Sequence, residues 1–173
     1  MRDYTLPPTK ADTYKVHQAV YAITSGARII YSHTPDAVRV RTDGEVVEPS
    51  AREVPPVAFS DGDALRFALV AAVTKRDLTG RRAFVPSTDL AYRRDWLAKR
   101  AAGWGFEIVS MDIRAEKEVF DKRNERKRFA VDRTEFTGVI RVIDANALRE
   151  AMRRGVGWCK FVGRGLIVVG RLD

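Results

Sequence analysis

Cysteine is almost absent from this 173-residue chain. Cys159 stands alone, which excludes an internal disulfide and a thiolate zinc cluster. Histidine is nearly as scarce, with only His17 and His33. There is no HExxH pair, no His/carboxylate metal constellation and no Gly-x-Ser-x-Gly elbow. No apolar run approaches the roughly 18 residues that a membrane span needs. The opening MRDYTLPPTK lacks the apolar core of a signal peptide, so a cytoplasmic protein with no membrane partner is expected. A hydrophobic content of 45% and a charged content of 31% exclude a disordered chain. The length suits one large domain or two small ones, either able to bury a core without staples.

What is plentiful is positive charge. Lys and Arg number 31 against 23 Asp and Glu, a net of +8. Residues 1–74 hold 8 basic and 9 acidic side chains, so the whole excess lies beyond residue 74. It concentrates in 75–100, at +5, and in 114–133 and 134–173, at +3 each. A basic surface is the footprint of a polyanion partner, because each neutralised phosphate releases condensed counterions. A solubilising surface is the other reading of the same charge.

Along the chain, the spacing predicts a helix over Thr13 to Thr24, capped by Asp12, with Val16, Val20 and Ile23 on one face. Tyr14, His17 and Tyr21, three and four apart, form a neighbouring stripe. Arg28–Tyr31 and Ala37–Arg41 read as strands around a Ser-His-Thr-Pro-Asp turn, and Val46–Pro56 as an edge or loop. Leu65–Val73 is an apolar run that its place in the order makes a strand. The basic connection 75–82 has no expected structure of its own. A second helix follows from Thr88 to Ala102, with Leu90, Leu97 and Ala101 on one face and Gly103 as its stop. Phe106–Ile113 and Phe136–Val142 are strands, and the charge-rich stretch between them reads as an extended hairpin or mobile loop. Asp144 caps a short helix that turns Ala147, Leu148, Ala151 and Met152 inward and stops at Gly155, before a last strand at Leu166–Val169. Two β-α-β-β-α-β units fit this order, dividing the chain into 1–74 and 75–173.

The tail from Gly155 to Gly165 is rich in glycine but ends in no Gly-Lys-Ser/Thr, so it is not a Walker A loop. Only eight residues follow it, too few for a dinucleotide-binding unit. Two readings remain. One is a loop whose backbone amides approach a phosphate, carrying Lys160 and Arg164. The other is a helix stop and a tight turn into an edge strand. His17 likewise has two readings, a packed or solvated helical side chain or an acid/base near neutral pH. His33, in its turn, is most simply a surface residue. An enzyme built from these parts is expected to need no metal ion or other cofactor.

The stretch Thr13-Tyr14-Lys15-Val16-His17-Gln18-Ala19-Val20-Tyr21 resembles the first-helix motif of the CasE family, the CRISPR repeat-RNA endoribonucleases of Cascade complexes within the RAMP superfamily. The tail is similar to that family's ending: Phe-x-Gly-Val at 136–139, Asp144, Ala147-Leu148, Gly155-Val156-Gly157, Lys160 and Gly163-x-Gly165-Leu166. Gly80-Arg81-Arg82, Trp96-Leu97 and the stretch from Gly103 to Ile108 resemble its middle section. The chain departs from the pattern in three places. Its first strand is brief and followed by Pro7-Pro8, the usual Asn-Pro gives way to Ala71-Ala72-Val73-Thr74, and Trp158 and Cys159 are bulkier than that loop often carries.

The resemblance implies an α+β protein of tandem ferredoxin-like (RRM/RAMP-like) domains. It implies attack of a ribose 2′-hydroxyl on the adjacent phosphate, leaving a 2′,3′-cyclic phosphate and a 5′-hydroxyl. His17, Tyr14 and Lys160 are then the catalytic residues. The expected partners are the CRISPR repeat hairpin, retained as processed CRISPR RNA (crRNA), and other Cascade subunits, with a monomer outside the complex. The RNA contacts are expected from Lys75, Arg76, Arg81, Arg82, Lys122, Arg123, Arg126, Lys127, Arg128 and Arg164, and from the loop glycines Gly155, Gly157, Gly163 and Gly165. A non-cleaving repeat-RNA binder, or a mobile-element protein docking on Cascade proteins, are the alternatives.

Overall fold

The computed structural model describes residues 1–9, 13–25, 28–122 and 127–172. The side chains of residues 13, 120–122 and 127–129 lie outside that description, as does the whole of Asp12, the expected helix cap. The first unit runs β1 (Arg2–Leu6), α1 (Thr13–Ile23), β2 (Ile29–His33), β3 (Val38–Thr42) and β4 (Arg52–Val54). Its antiparallel sheet has the order β2-β3-β1-β4, the ferredoxin-like arrangement. Residues 43–51 take the place of that fold's second helix with turns and extended chain. Despite the following Pro7-Pro8, β1 is a central strand, paired with β3 along its whole length and with β4 on its other side.

Alternation explains the packing of this unit. Val38 and Val40 of β3 point to the side covered by Val16 and Val20 of α1, and Leu6 and Tyr31 complete the small core. This is the helix face expected from the spacing.

The second unit runs β5 (Ala64–Ala71), a small hairpin of β6 (Thr74–Arg76) and β7 (Arg82–Phe84), α2 (Leu90–Ala101), β8 (Phe106–Lys122), β9 (Lys127–Val142), α3 (Ala145–Arg154) and β10 (Ile167–Arg171). Its sheet order, β10-β5-β9-β8, repeats the topology of the first, so the chain is a tandem α+β protein. Leu65, Phe67, Leu69 and Ala71 of β5 face inward on Phe136 and Ile140 of β9, with Leu97 of α2 and Leu148 of α3 above them. Trp96 stacks on Phe136 with ring centroids 6.2 Å apart. Asp144 caps α3 by accepting from the Asn146 and Ala147 amides, both at 2.9 Å.

Three expectations need correction. The division at residue 74 does not follow the sheets, because β5 is hydrogen-bonded between β9 and β10 and opens the second unit. The connecting chain is therefore 55–63, not the basic stretch. That basic stretch is not structureless: β6 and β7 pair from Thr74↔Phe84 to Arg76↔Arg82. Asp77 shapes the turn by accepting from the Thr79 and Arg81 amides at 2.8 and 2.9 Å. On α2, Leu90 is 46% exposed, and the buried face is Arg93, Trp96, Leu97 and Ala101.

Polar contacts fasten the units together. Arg41 of β3 pairs with Asp3 at 2.6 Å and donates to the carbonyls of Met152 and Ile167 at 2.8 and 3.0 Å. Arg133 of β9 donates to the His33 carbonyl at 2.9 Å. Among the described residues, no helix is long and apolar enough to cross a membrane.

Candidate active site

The helix α1 lies against β2, β8 and a one-turn 3-10 segment, Lys160–Val162, so the junction of the two units collects the residues singled out from the sequence. His17 sits half-buried in an aromatic setting. Its ring centroid is 4.5 Å from Tyr21, 6.5 Å from Tyr14 and 6.3 Å from Tyr31. Burial pushes the imidazole pKa below its ordinary 6.5, partly offset by an interaction with the Phe161 backbone. The neutral ring is therefore the favoured form, and its Nδ1 is buried without a hydrogen-bond partner among the described residues.

Tyr31 holds the opposite wall. It is fully buried, its hydroxyl donates to the Phe161 carbonyl at 3.2 Å, and burial raises its pKa far above the tyrosine range, so it stays a neutral donor. The bond ties β2 of the first unit to the turn that carries Lys160. Lys160 is partly buried, and burial first, then Arg28 and Arg154, lower its pKa. Arg28 and Arg154 come from α1's trailing loop and the end of α3, far apart in sequence. Their effect on one ammonium marks a place where positive charge gathers.

The loop that presents Lys160 is built from below. Cys159 is buried with Ala72, Val131 and Val162, and Tyr14 and Phe84 pack on the same cluster. Its backbone is left-handed, φ 61 and ψ 32, the only such residue other than glycine among those described. That conformation costs a β-carbon-bearing residue about 1 kcal/mol. It turns a buried residue between two outward-facing neighbours, Trp158 and Lys160. Burial raises the Cys159 thiol to about 11, so it is protonated and unreactive at neutral pH.

The loop glycines serve packing. The Gly165 amide donates to the Val70 carbonyl at 2.6 Å and the Gly163 amide to the Lys160 carbonyl at 3.2 Å, so neither is free for a phosphate. A β-carbon on Gly163 would stand 2.8 Å from the Tyr31 ring, and one on Gly165 would strike the Val156 carbonyl; both have positive φ. Gly155 is buried against Ile30, and Gly157 is at the surface beside Trp96. At Gly163 and Gly165, then, the expected phosphate cradle is a close-packed turn between β2 and β5.

Arg164 is also reassigned. It is fully buried, with Nη2 on Glu118 at 2.6 Å, Nε on the Asp132 carbonyl at 3.1 Å and Nη1 on the Val162 carbonyl at 3.0 Å. Every face of that guanidinium is committed, leaving it out of reach of RNA.

Lys75, Arg76, Arg81 and Arg82, by contrast, are all exposed on the β6–β7 hairpin. Arg82 lies over the Trp158 ring, 5.0 Å from its centroid. The long β8–β9 hairpin carries the remaining expected contacts at its far end. The backbones of Lys122, Lys127 and Arg128 pair there, while their side chains, and Arg123 and Arg126 entirely, lie outside the described residues. Tyr31, Arg28, Arg154 and the Arg82–Trp158 pair are what the sequence reading missed. Only the aromatic character of Tyr31 and Trp158 offered a signal.

Comparison with known proteins supplies the context. A family model described as "CRISPR associated protein" matches residues 24–171. No curated protein matches at the sequence level. Among solved structures, the CRISPR endoribonuclease Cse3 bound to a 19-nucleotide RNA is similar at a TM-score of 0.79 and 24% identity, covering 98% of this chain and 100% of that one. The CRISPR-associated protein Cas6e from Escherichia coli str. K-12 follows at 0.74 and 21%, covering 99% and 100%. A chain of E. coli Cascade bound to a double-stranded DNA target gives 0.61 and 18%, covering 99% and 100%. At these identities the likeness establishes the fold.

Proposed function

Given that the chain belongs to the family of CRISPR-associated proteins, we propose that it is one of the CasE group that its motifs resemble, an endoribonuclease that processes CRISPR RNA. It cuts the precursor at the base of the repeat hairpin, needs no metal ion, and stays on the product hairpin as a cytoplasmic Cascade subunit, monomeric outside the complex. The similar solved proteins named as a CRISPR endoribonuclease with RNA and as a Cascade component support this reading. The observation that carries it is the meeting of α1, with His17 and Tyr14, and the Lys160 turn across the junction of two units.

The chemistry follows from these groups. The ribose 2′-hydroxyl beside the scissile phosphate is the nucleophile, so catalysis is largely alignment of an in-line attack. Neutral His17 takes the 2′-hydroxyl proton as the new P–O bond forms. The P–O bond to the next nucleotide breaks, its 5′-oxygen takes a proton from water and leaves as a hydroxyl, and the hydroxide so formed is neutralised by the proton that His17 gained. Tyr14 hydrogen-bonds the phosphate or the attacking ribose. Lys160, in its cationic surroundings, offsets charge on the phosphorane. Incubating a repeat hairpin with the protein in excess EDTA is expected to yield a 2′,3′-cyclic phosphate and a 5′-hydroxyl end. An uncut hairpin that remains tightly bound would leave a non-cleaving binder instead.

The exposed cations of the β6–β7 hairpin, Lys75, Arg76, Arg81 and Arg82, are proposed to hold the RNA backbone near the cut, where an A-form stem is recognised by shape and phosphates. Neutralising any one that touches a phosphate is expected to reduce the slope of log K against log salt by about 1. Filter binding across a salt series measures this; an unchanged slope in the fourfold variant removes the assignment.

A further inference from the structure

Trp158 is a large apolar side chain left 43% exposed, two residues before Lys160. Its position is fixed from three sides. Its backbone bridges to Ala72, its ring lies 5.8 Å from that of Phe84, and Arg82 stands over it at 5.0 Å. The left-handed turn at buried Cys159 fixes the direction in which it leaves the chain. Packed on Phe84 from one side, the indole still leaves much of its surface to solvent. Its setting is cationic, with Arg82, Arg81 and Lys160 close in structure or sequence, so its complement is a flat, apolar group attached to negative charge.

A nucleobase on a phosphodiester chain has that chemistry, and every base offers a π-face to an aromatic side chain. We infer that Trp158, with Arg82 against its ring, is a stacking platform for the unpaired nucleobase that flanks the scissile phosphate. Two residues of chain span at most about 7 Å, which puts the platform beside the phosphate that Lys160 would hold. Arg82 then serves twice, orienting the indole and facing the phosphate of the stacked nucleotide. The inference rests on the function proposed above and adds a subsite that grips single-stranded RNA where the stem ends.

The test places 2-aminopurine, whose fluorescence falls on stacking, at each unpaired position around the cleavage site of a repeat hairpin carrying a 2′-deoxy block. Binding of the wild type is expected to quench one such position strongly. Trp158→Ala is expected to abolish that quenching, and Trp158→Phe to retain part of it. In affinity, Trp158→Ala is expected to cost about tenfold or more on the intact hairpin. With an abasic site at the quenched position the same substitution should cost less than about twofold, since no base remains to stack. An equal loss on intact and abasic RNA, or a hairpin that binds with no position quenched, overturns the platform alone. Failure of the wild type to bind the hairpin at all overturns the function on which it rests.

Discussion

Replacing His17 with alanine is expected to slow cleavage of a repeat hairpin by about 10²- to 10⁴-fold, the usual contribution of a positioned acid or base. Hairpin affinity should be nearly unchanged, because the exposed cations proposed to hold phosphate lie on other elements. The imidazole's place explains the size of the effect. It is half-buried among the rings of Tyr14, Tyr21 and Tyr31, which hold its position. Burial also lowers its pKa, so the base-competent neutral form dominates at pH 7. The pH dependence carries a sign. The single-turnover rate should fall on acidification through an inflection below 6.5, as His17 takes up a proton, and should be flat above it. Single-turnover kinetics on labelled hairpin RNA measure both quantities. Equal cutting by the alanine variant defeats the assignment of His17.

Asp132→Ala is expected to cost about 3–5 kcal/mol of stability, the range for stranding one partner of a buried ion pair. Asp132 and Arg93 are both buried, with Nη2 and Nη1 of Arg93 on the two carboxylate oxygens at 2.7 and 2.9 Å. Arg93 also donates to the Val85 and Pro86 carbonyls and to the Thr134 hydroxyl. Asp132 further accepts from the Val73 amide at 2.8 Å and the Thr134 hydroxyl at 2.7 Å. Removing the carboxylate strands a fully buried guanidinium and two further donors, where no water can replace the lost partner. Urea denaturation followed by circular dichroism reads the loss as a lower midpoint. Arg93→Met combined with Asp132→Leu should be less damaging than Asp132→Ala alone, because the uncompensated charge is gone. A loss below 1 kcal/mol would mean that water reaches the pair.

This network also marks where the sequence was legible and where it was not. Val16 and Val20 could be placed on a buried helical face because apolar periodicity is local, and packing on β3 follows it. Asp144 could be read as a cap because capping spans three residues. Arg93 and Arg164 could not be read as core residues. Their partners, Asp132 and Glu118, lie 39 and 46 residues away, and a composition rich in arginine looks the same whether the charge is solvated or paired inside. The boundary at residue 74 failed for a related reason. The apolar run of β5 suits the last strand of one unit as well as the first of the next, and only its pairing with β9 and β10 decides. The site itself was half legible. Motif similarity points to His17, Tyr14 and Lys160 as an expected site, whereas Tyr31 comes to notice only when the turn at Phe161 is seen closing over it.

The short connection between the units, residues 55–63, has a thermodynamic consequence. Phe59 is buried in the second core and Asp61 accepts from the Ala145 amide at 2.7 Å, so most of this stretch is pinned to one unit. A tether so short and so constrained keeps each half at an effective concentration of millimolar or more with respect to the other. Docking is then close to an intramolecular event, and a few bonds from Arg41, Arg133 and Tyr31 suffice where free partners would need a large apolar interface. His17 and Tyr14 on one side of the seam and the Lys160 turn on the other, the groups proposed to move a proton and to steady a phosphate, are thereby kept from drifting apart.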